Sequence, residues 1–117
     1  MADIIVWTTA ELDFALRDEQ GEVPSGIFDG LQDAIVTISQ SGARIEKRLA
    51  EIGVEPETGT IHVVLTQQDT GRLQGGTRQA PKAADAQVNL YYQDSTRNAT
   101  YEVRLNVLRN LHPQRMP

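Results

Sequence analysis

From Gln87 to Leu108 the chain keeps a two-residue rhythm that is interrupted once. Val88, Leu90 and Tyr92 alternate with Gln87, Asn89 and Tyr91, and Tyr101, Val103, Leu105 and Val107 alternate with Thr100, Glu102, Arg104 and Asn106. Successive side chains of a strand leave on opposite faces, so this pattern gathers the apolar set on one face, which a helix of 3.6 residues per turn would scatter. The interruption, Gln93-Asp94-Ser95-Thr96-Arg97-Asn98, is built of short polar side chains that bond the local backbone. The two runs predict an antiparallel hairpin over about residues 86–109. A lone hairpin with one apolar face is barely stable in water, so the rest of the chain has to cover it.

The remaining segments supply further strands. Leu12, Phe14 and Leu16 alternate with Glu11, Asp13 and Arg17, and Asp18-Glu19-Gln20-Gly21-Glu22-Val23-Pro24 closes that run as a polar turn. A short strand at Ile4–Trp7 precedes it or is continuous with it. Ser25 is placed to cap one helical turn over residues 26–33 that would carry Ile27, Phe28 and Leu31 to the core. Ile35–Ser39 is β-branched and stops at Gln40-Ser41-Gly42. In residues 43–52, Ile45, Leu49 and Ile52 fit a helical stripe, whereas a three-residue turn at Gly42 favours a returning strand over 43–49; the strand is the preferred reading. Gly53 and Pro56-Glu57-Thr58-Gly59 break the chain, Thr60–Leu65 is another strand, and Thr66 with Asp69 forms a capping box for a short helix reaching Leu73. Gly75 to Ala86 has no apolar period and is expected to be an exposed, mobile loop, and residues 110–117 a tail.

This pattern predicts an all-β fold: an immunoglobulin-like antiparallel β-sandwich of six to seven strands with one or two short helical turns, occupying residues 1–117 as a single domain. A chain of 117 residues holds one core. An aromatic share of 5% makes that core thin. The absence of cysteine removes disulfides, zinc–thiolate sites and cysteine nucleophiles, along with the landmarks of true immunoglobulin domains. No run approaches the roughly 18 apolar residues of a membrane span, and Met1-Ala2-Asp3 lacks the basic start of a signal peptide, so neither membrane nor secretion is expected.

Charge is distributed unevenly. Residues 1–60 hold twelve acids against four bases and residues 61–117 four acids against seven bases, giving the net −5. Two lysines and an acidic balance argue against nucleic-acid binding. The asymmetry fits head-to-tail contact between copies, the kind of interface that closes into rings; alternatively the halves interleave and the asymmetry disappears in three dimensions.

Candidate chemistry is sparse. Glu11 and Asp13 share one face of a strand, and Asp18, Glu19 and Glu22 share its turn; both read as solvated carboxylates, since acid catalysis needs an enclosed pocket and an EF-hand needs a spacing this turn lacks. His62 has no second histidine, cysteine or clustered acid at ligand spacing. Ser25, Ser39, Ser41 and Ser95 sit at turns or strand ends outside any Gly-x-Ser-x-Gly elbow, Gly71–Gly76 does not match a phosphate loop, and Asn98-Ala99-Thr100 reads as a turn despite its sequon form. Trp7, Tyr91 and Tyr92 would suit a sugar-stacking platform only if they shared a surface, and one of the two tyrosines must face the core. No catalytic residue, metal or cofactor is expected.

Three stretches in order carry a resemblance: Ile35-Val36-Thr37-Ile38-Ser39-Gln40-Ser41-Gly42, then Ile61-His62-Val63-Val64-Leu65-Thr66-Gln67-Gln68-Asp69-Thr70, then Ala86-Gln87-Val88-Asn89-Leu90 leading to Arg97-Asn98-Ala99-Thr100. The chain resembles, over roughly residues 10–110, small proteins encoded among the structural genes of tailed phages and prophages of Gram-positive gut bacteria. The loop at Gly75–Ala86 is longer than in that group and the N-terminal half more acidic. The resemblance implies a virion component of tail or baseplate, located in the virion or in the bacterial cytoplasm during assembly, with other virion proteins as partners and no catalytic residues. It points to Thr100–Leu108 and the loop as assembly elements.

Overall fold

The computed structural model describes residues 3–111. Among them the chain forms β1 (Asp3–Ile5), β2 (Ala10–Ala15), β3 (Leu31–Gln40), β4 (Ala43–Arg48), β5 (Gly53–Glu55), β6 (Thr60–Leu65), the helix α1 (Gln67–Gly71), β7 (Lys82–Tyr92) and β8 (Ala99–Leu108), with single 3-10 turns at Leu49–Glu51 and Ser95–Arg97. The fold is all-β. One sheet has the order β1-β8-β7-β3-β4 and the other β2-β6-β5. No helix among the described residues is long and apolar enough to cross a membrane.

Alternation places the core between the sheets. Ala34, Val36 and Ile38 of β3, Val88 and Leu90 of β7, and Leu105 and Val107 of β8 are buried together with Leu12 and Phe14 of β2 and Ile61, Val63 and Leu65 of β6. Each of these valines, leucines and isoleucines and Phe14 contributes about 1.5–3 kcal/mol by leaving water, and Ala34 less. Ile27, in the connection from β2 to β3, and Leu73, after α1, close the two ends of this core.

Several expectations are corrected. Eight strands form among the described residues rather than six or seven, and the arrangement is not wholly antiparallel, because β1 pairs in parallel with β8. Residues 26–33 make no helix: turns run to Gly30 and β3 begins at Leu31, four residues earlier than expected. The β3–β4 hairpin turns on two residues, not three. Gln40 pairs directly with Ala43, and Ser41 and Gly42 both take positive φ (39° and 93°), the backbone that matches the twist of paired strands. Gly53–Glu55, expected only as a break, forms β5 against β6.

The supposed loop from Gly75 to Ala86 is the largest correction. Lys82–Ala86 are already strand, paired with β8 on one side and, from Asp85, with β3 on the other. Alanine contributes little hydrophobic signal, yet Ala84 and Ala86 are 2% and 1% exposed. Pairing on both sides overrides the weak strand preference of alanine at a central position. Even Gly76 is fixed, exchanging hydrogen bonds with Val107 (2.9 Å) and Arg109 (2.9 Å). The tail from residue 112 lies outside the described residues.

Candidate functional site

β8 is covered unequally. β7 pairs along it from Ala99 to Val107, whereas β1 meets its other side only at Asn106–Leu108. Residues 99–105 therefore have no strand on that side among the described residues. Strand backbone groups alternate sides, and the alternation can be fixed from the covered end. The Val107 carbonyl accepts from Gly76 on the β7 side, while the Leu108 carbonyl accepts from Val6 on the β1 side. Counting back by twos, Thr100, Glu102 and Arg104 aim their N–H and C=O groups outward from the sheet.

The side chains flanking this edge are also half finished. Leu105 and Val107 are fully buried, but Tyr101 and Val103, on the same face, are only partly covered although they pack against the core. A strand laid on residues 99–105 would satisfy the outward backbone groups and complete the burial of both side chains. Each hydrogen bond so formed is worth about 0.5–1.5 kcal/mol net. Open edges of this kind are the template for β-strand addition.

The outward face of the same sheet is a polar grid in a shallow hollow of about 550 Å³. Thr100 donates to Asn89 (2.7 Å), Asn89 to Gln87 (3.1 Å) and Gln87 to Glu102 (3.3 Å), and Arg104 lies 3.6 Å from Asp85. Its carboxylates stay exposed, so the face offers contact surface and not an enclosed acid–base pair.

The sequence-level candidates are placed as follows. Glu11 and Asp13 lie on the exposed face of β2. Asp13 reaches the Nδ1 of His62 on β6, and Glu55 on β5 reaches its Nε2. The acids missing from the local sequence of His62 are thus delivered by its two neighbouring strands. The carboxylates, Asp13 most strongly, hold the ring above its ordinary pKa of 6.5. Both nitrogens being occupied, the cluster ties three strands together across an open face, and no group of three His, Cys, Asp or Glu side chains among the described residues is arranged to hold a metal ion. The alternation of β2 showed the exposed face of Asp13; the register that brings it to His62 is long-range and left no local signal.

Asp18 caps its own turn, accepting from the amides of Gln20 and Glu22 (2.9 Å each). Ser25, Ser39, Ser41 and Ser95 are exposed and none bonds the His62 ring. The glycines of 71–76 serve close packing: a Cβ on Gly71 would stand 2.6 Å from the Trp7 ring and one on Gly76 2.3 Å from the Ala80 carbonyl. Asn98 of the sequon accepts the Tyr92 amide (3.0 Å) and closes the β7–β8 hairpin. The expected capping box forms, with Thr66 and Asp69 bonding each other's amides. Partial burial works to raise the Asp69 carboxyl, but the hydrogen bonds from Lys47, 2.9 Å away, and from Thr66 bring it below the ordinary value.

The aromatic residues do not assemble. Trp7 packs on α1 at one end of the sheets, while Tyr92 is buried at the other, donating its hydroxyl to the Ile27 carbonyl beneath the Arg97 guanidinium, 4.5 Å from the ring centroid. Tyr91 alone of the pair is exposed.

No protein-family model matches the chain, and no curated protein matches it. The fold is similar to part of an endo-β-1,4-mannanase from Thermotoga petrophila (TM-score 0.50, 12% identity, 94% of this chain and 18% of that one). It is equally similar to part of a Bacteroides vulgatus protein provisionally classed as a glycoside hydrolase (TM-score 0.50, 10% identity, 94% and 17%). This chain thus spans under a fifth of either, and the likeness is one of fold.

Proposed function

We propose that this chain is a virion assembly component of a tailed phage or prophage, an immunoglobulin-like β-sandwich that works in the tail or baseplate through protein–protein contacts and not by catalysis. The observation that carries the reading is the uncovered length of β8: three outward backbone positions beside two half-covered apolar side chains, a surface suited to accepting a neighbour's strand. The resemblance of its motif order to small phage structural proteins points the same way.

The test is the protein content of virions purified after induction of a lysogen carrying the gene. The expected result is this chain at a fixed ratio to the tail proteins. Its absence from virions, together with binding to immobilised glycans, would replace the reading with that of a carbohydrate-binding module.

A further inference from the structure

The charge asymmetry between the two halves of the sequence becomes, in three dimensions, an asymmetry between the two ends of the sheets. Strands from both halves do interleave within each sheet. The loops do not. At one end, residues 16–30, 56–59 and 93–98 are joined by hydrogen bonds from Leu16 to Gly59 (2.9 Å), Arg17 to Thr58 (2.8 Å), Gln93 to Gly30 (3.0 Å) and Arg97 to Asp29 (3.0 Å). They carry Asp18, Glu19, Glu22, Asp29, Glu57 and Asp94 against Arg17 and Arg97, a balance of −4. At the other end, residues 6–9, 66–81 and 109–111 are joined by hydrogen bonds from Thr8 to Thr70 (3.1 Å), Asn110 to Val6 (3.1 Å) and Arg109 to Gly76 (2.9 Å). They carry Asp69 against Arg72, Arg78 and Arg109, a balance of +2, and Asp69 is already engaged by Lys47.

The basic end contains a cleft of about 470 Å³ lined by Ile5, Thr8, Arg78, Leu108, Arg109 and Leu111 among others. Two large apolar side chains stand open there, Leu111 at 71% and Ile5 at 38% exposure. The acidic end offers a matching projection. The turn Asp18–Glu22 is prefolded by bonds from the Asp18 amide to the Glu22 carbonyl (2.8 Å) and from the Gly21 amide to the Asp18 carbonyl (3.0 Å), and it runs into half-buried Val23 and Pro24. A prefolded turn loses little conformational freedom on docking.

We propose that copies of this chain associate head to tail, the acidic turn Asp18–Glu22 of one seating in the cleft between Arg78 and Arg109 of the next. Resting on the assembly reading, this adds a second copy as partner and a surface distinct from the β8 edge. Glu19 and Glu22 face the two guanidinium groups, and Val23 covers Ile5 and Leu111. Such an interface is heterologous, so it closes into a ring or continues as a filament.

The test is sedimentation velocity over a concentration series at about 0.1 M and about 1 M salt, where the screening length falls from ~10 Å to ~3 Å. The full chain is expected to self-associate at low salt and weaken at least tenfold at high salt. Arg78→Glu/Arg109→Glu and Glu19→Arg/Glu22→Arg are each expected to be monomeric, and mixing them to restore association at one-to-one stoichiometry, because the reversed turn fits the reversed cleft and the unchanged turn the unchanged cleft. A full chain that stays monomeric, association that both variants retain, or a mixture that does not pair would overturn the proposal. Virion content separates the outcomes: a monomer found in virions removes this interface alone, and a self-associating chain absent from virions removes the assembly reading alone.

Discussion

The two lengths of β8 share a strand, a partner in β7 and a two-residue alternation, yet they differ in what lies beside them. At Asn106–Leu108 the neighbour is β1, and Val107 and Leu108 are buried; along 99–105 there is none among the described residues, and Tyr101 and Val103 stay half covered. Sequence alternation alone makes these lengths equivalent. The difference teaches that a strand's role is set by its second edge: covered, it is core; open, it is surface held in the shape of a binding partner.

The comparison breaks most easily at neighbouring core-facing positions. Leu105→Ala should cost about 2–5 kcal/mol, because a fully buried leucine leaves a cavity. Val103→Ala, two residues away on the same face, should cost about 1 kcal/mol in the isolated chain, measured by urea unfolding of both variants. Equal losses would mean that Val103, deep in the open length, is as much core as Leu105 at the border of the covered one.

The covering itself can be tested next. β1 is delivered to β8 by the crossing at residues 6–9, which the buried Thr70 hydroxyl fastens by donating to the Thr8 carbonyl (2.8 Å) and accepting its amide (3.1 Å). Thr70→Val keeps the shape and removes both bonds. It should cost about 1–3 kcal/mol and speed hydrogen exchange at the Val6 amide, extending the open edge toward Leu108. Unchanged exchange there would show that β1 stays on β8 without the fastening.

The smallest effect belongs to the other sheet, whose edge strands β2 and β5 are both tied to β6 through His62. The folded-state pKa of the ring is raised, so this contribution is complete below about 6.5 and is lost as pH rises through the folded value. Wild type should therefore lose stability between pH 6 and pH 9 relative to His62→Gln, by a small amount because the ring is exposed. A parallel pH dependence in the two proteins would contradict the tie.

What the sequence made legible was local. The period of two in Val88–Tyr92 and Tyr101–Val107, the polar turn between them and the Thr66–Asp69 capping box are decided by neighbouring residues, and each forms as read. What it hid was long-range. β5 is the three residues Gly53–Glu55, with no pattern of its own, held by pairing with β6. Ala84 and Ala86 look neutral until strands on both sides bury them. The open edge needed the parallel register of Asp3 on Asn106, about a hundred residues apart, which no local signal encodes. The meeting of Asp13, His62 and Glu55 was hidden in the same way.

The most direct test uses a substitution whose backbone effect falls on the open edge, at the cost of one exposed side-chain bond from Gln87 (3.3 Å). Glu102 aims its amide away from β7, so Glu102→Pro removes an outward donor and leaves the hairpin hydrogen bonds in place. Wild-type and Glu102→Pro chains are expressed in a lysogen lacking its own copy, and each is quantified by mass spectrometry in purified virions beside its urea unfolding midpoint. The account predicts near-equal unfolding midpoints, with wild type incorporated at a fixed ratio to tail proteins and Glu102→Pro lost from the particle. Equal incorporation of both chains, or wild type absent from virions, would contradict it.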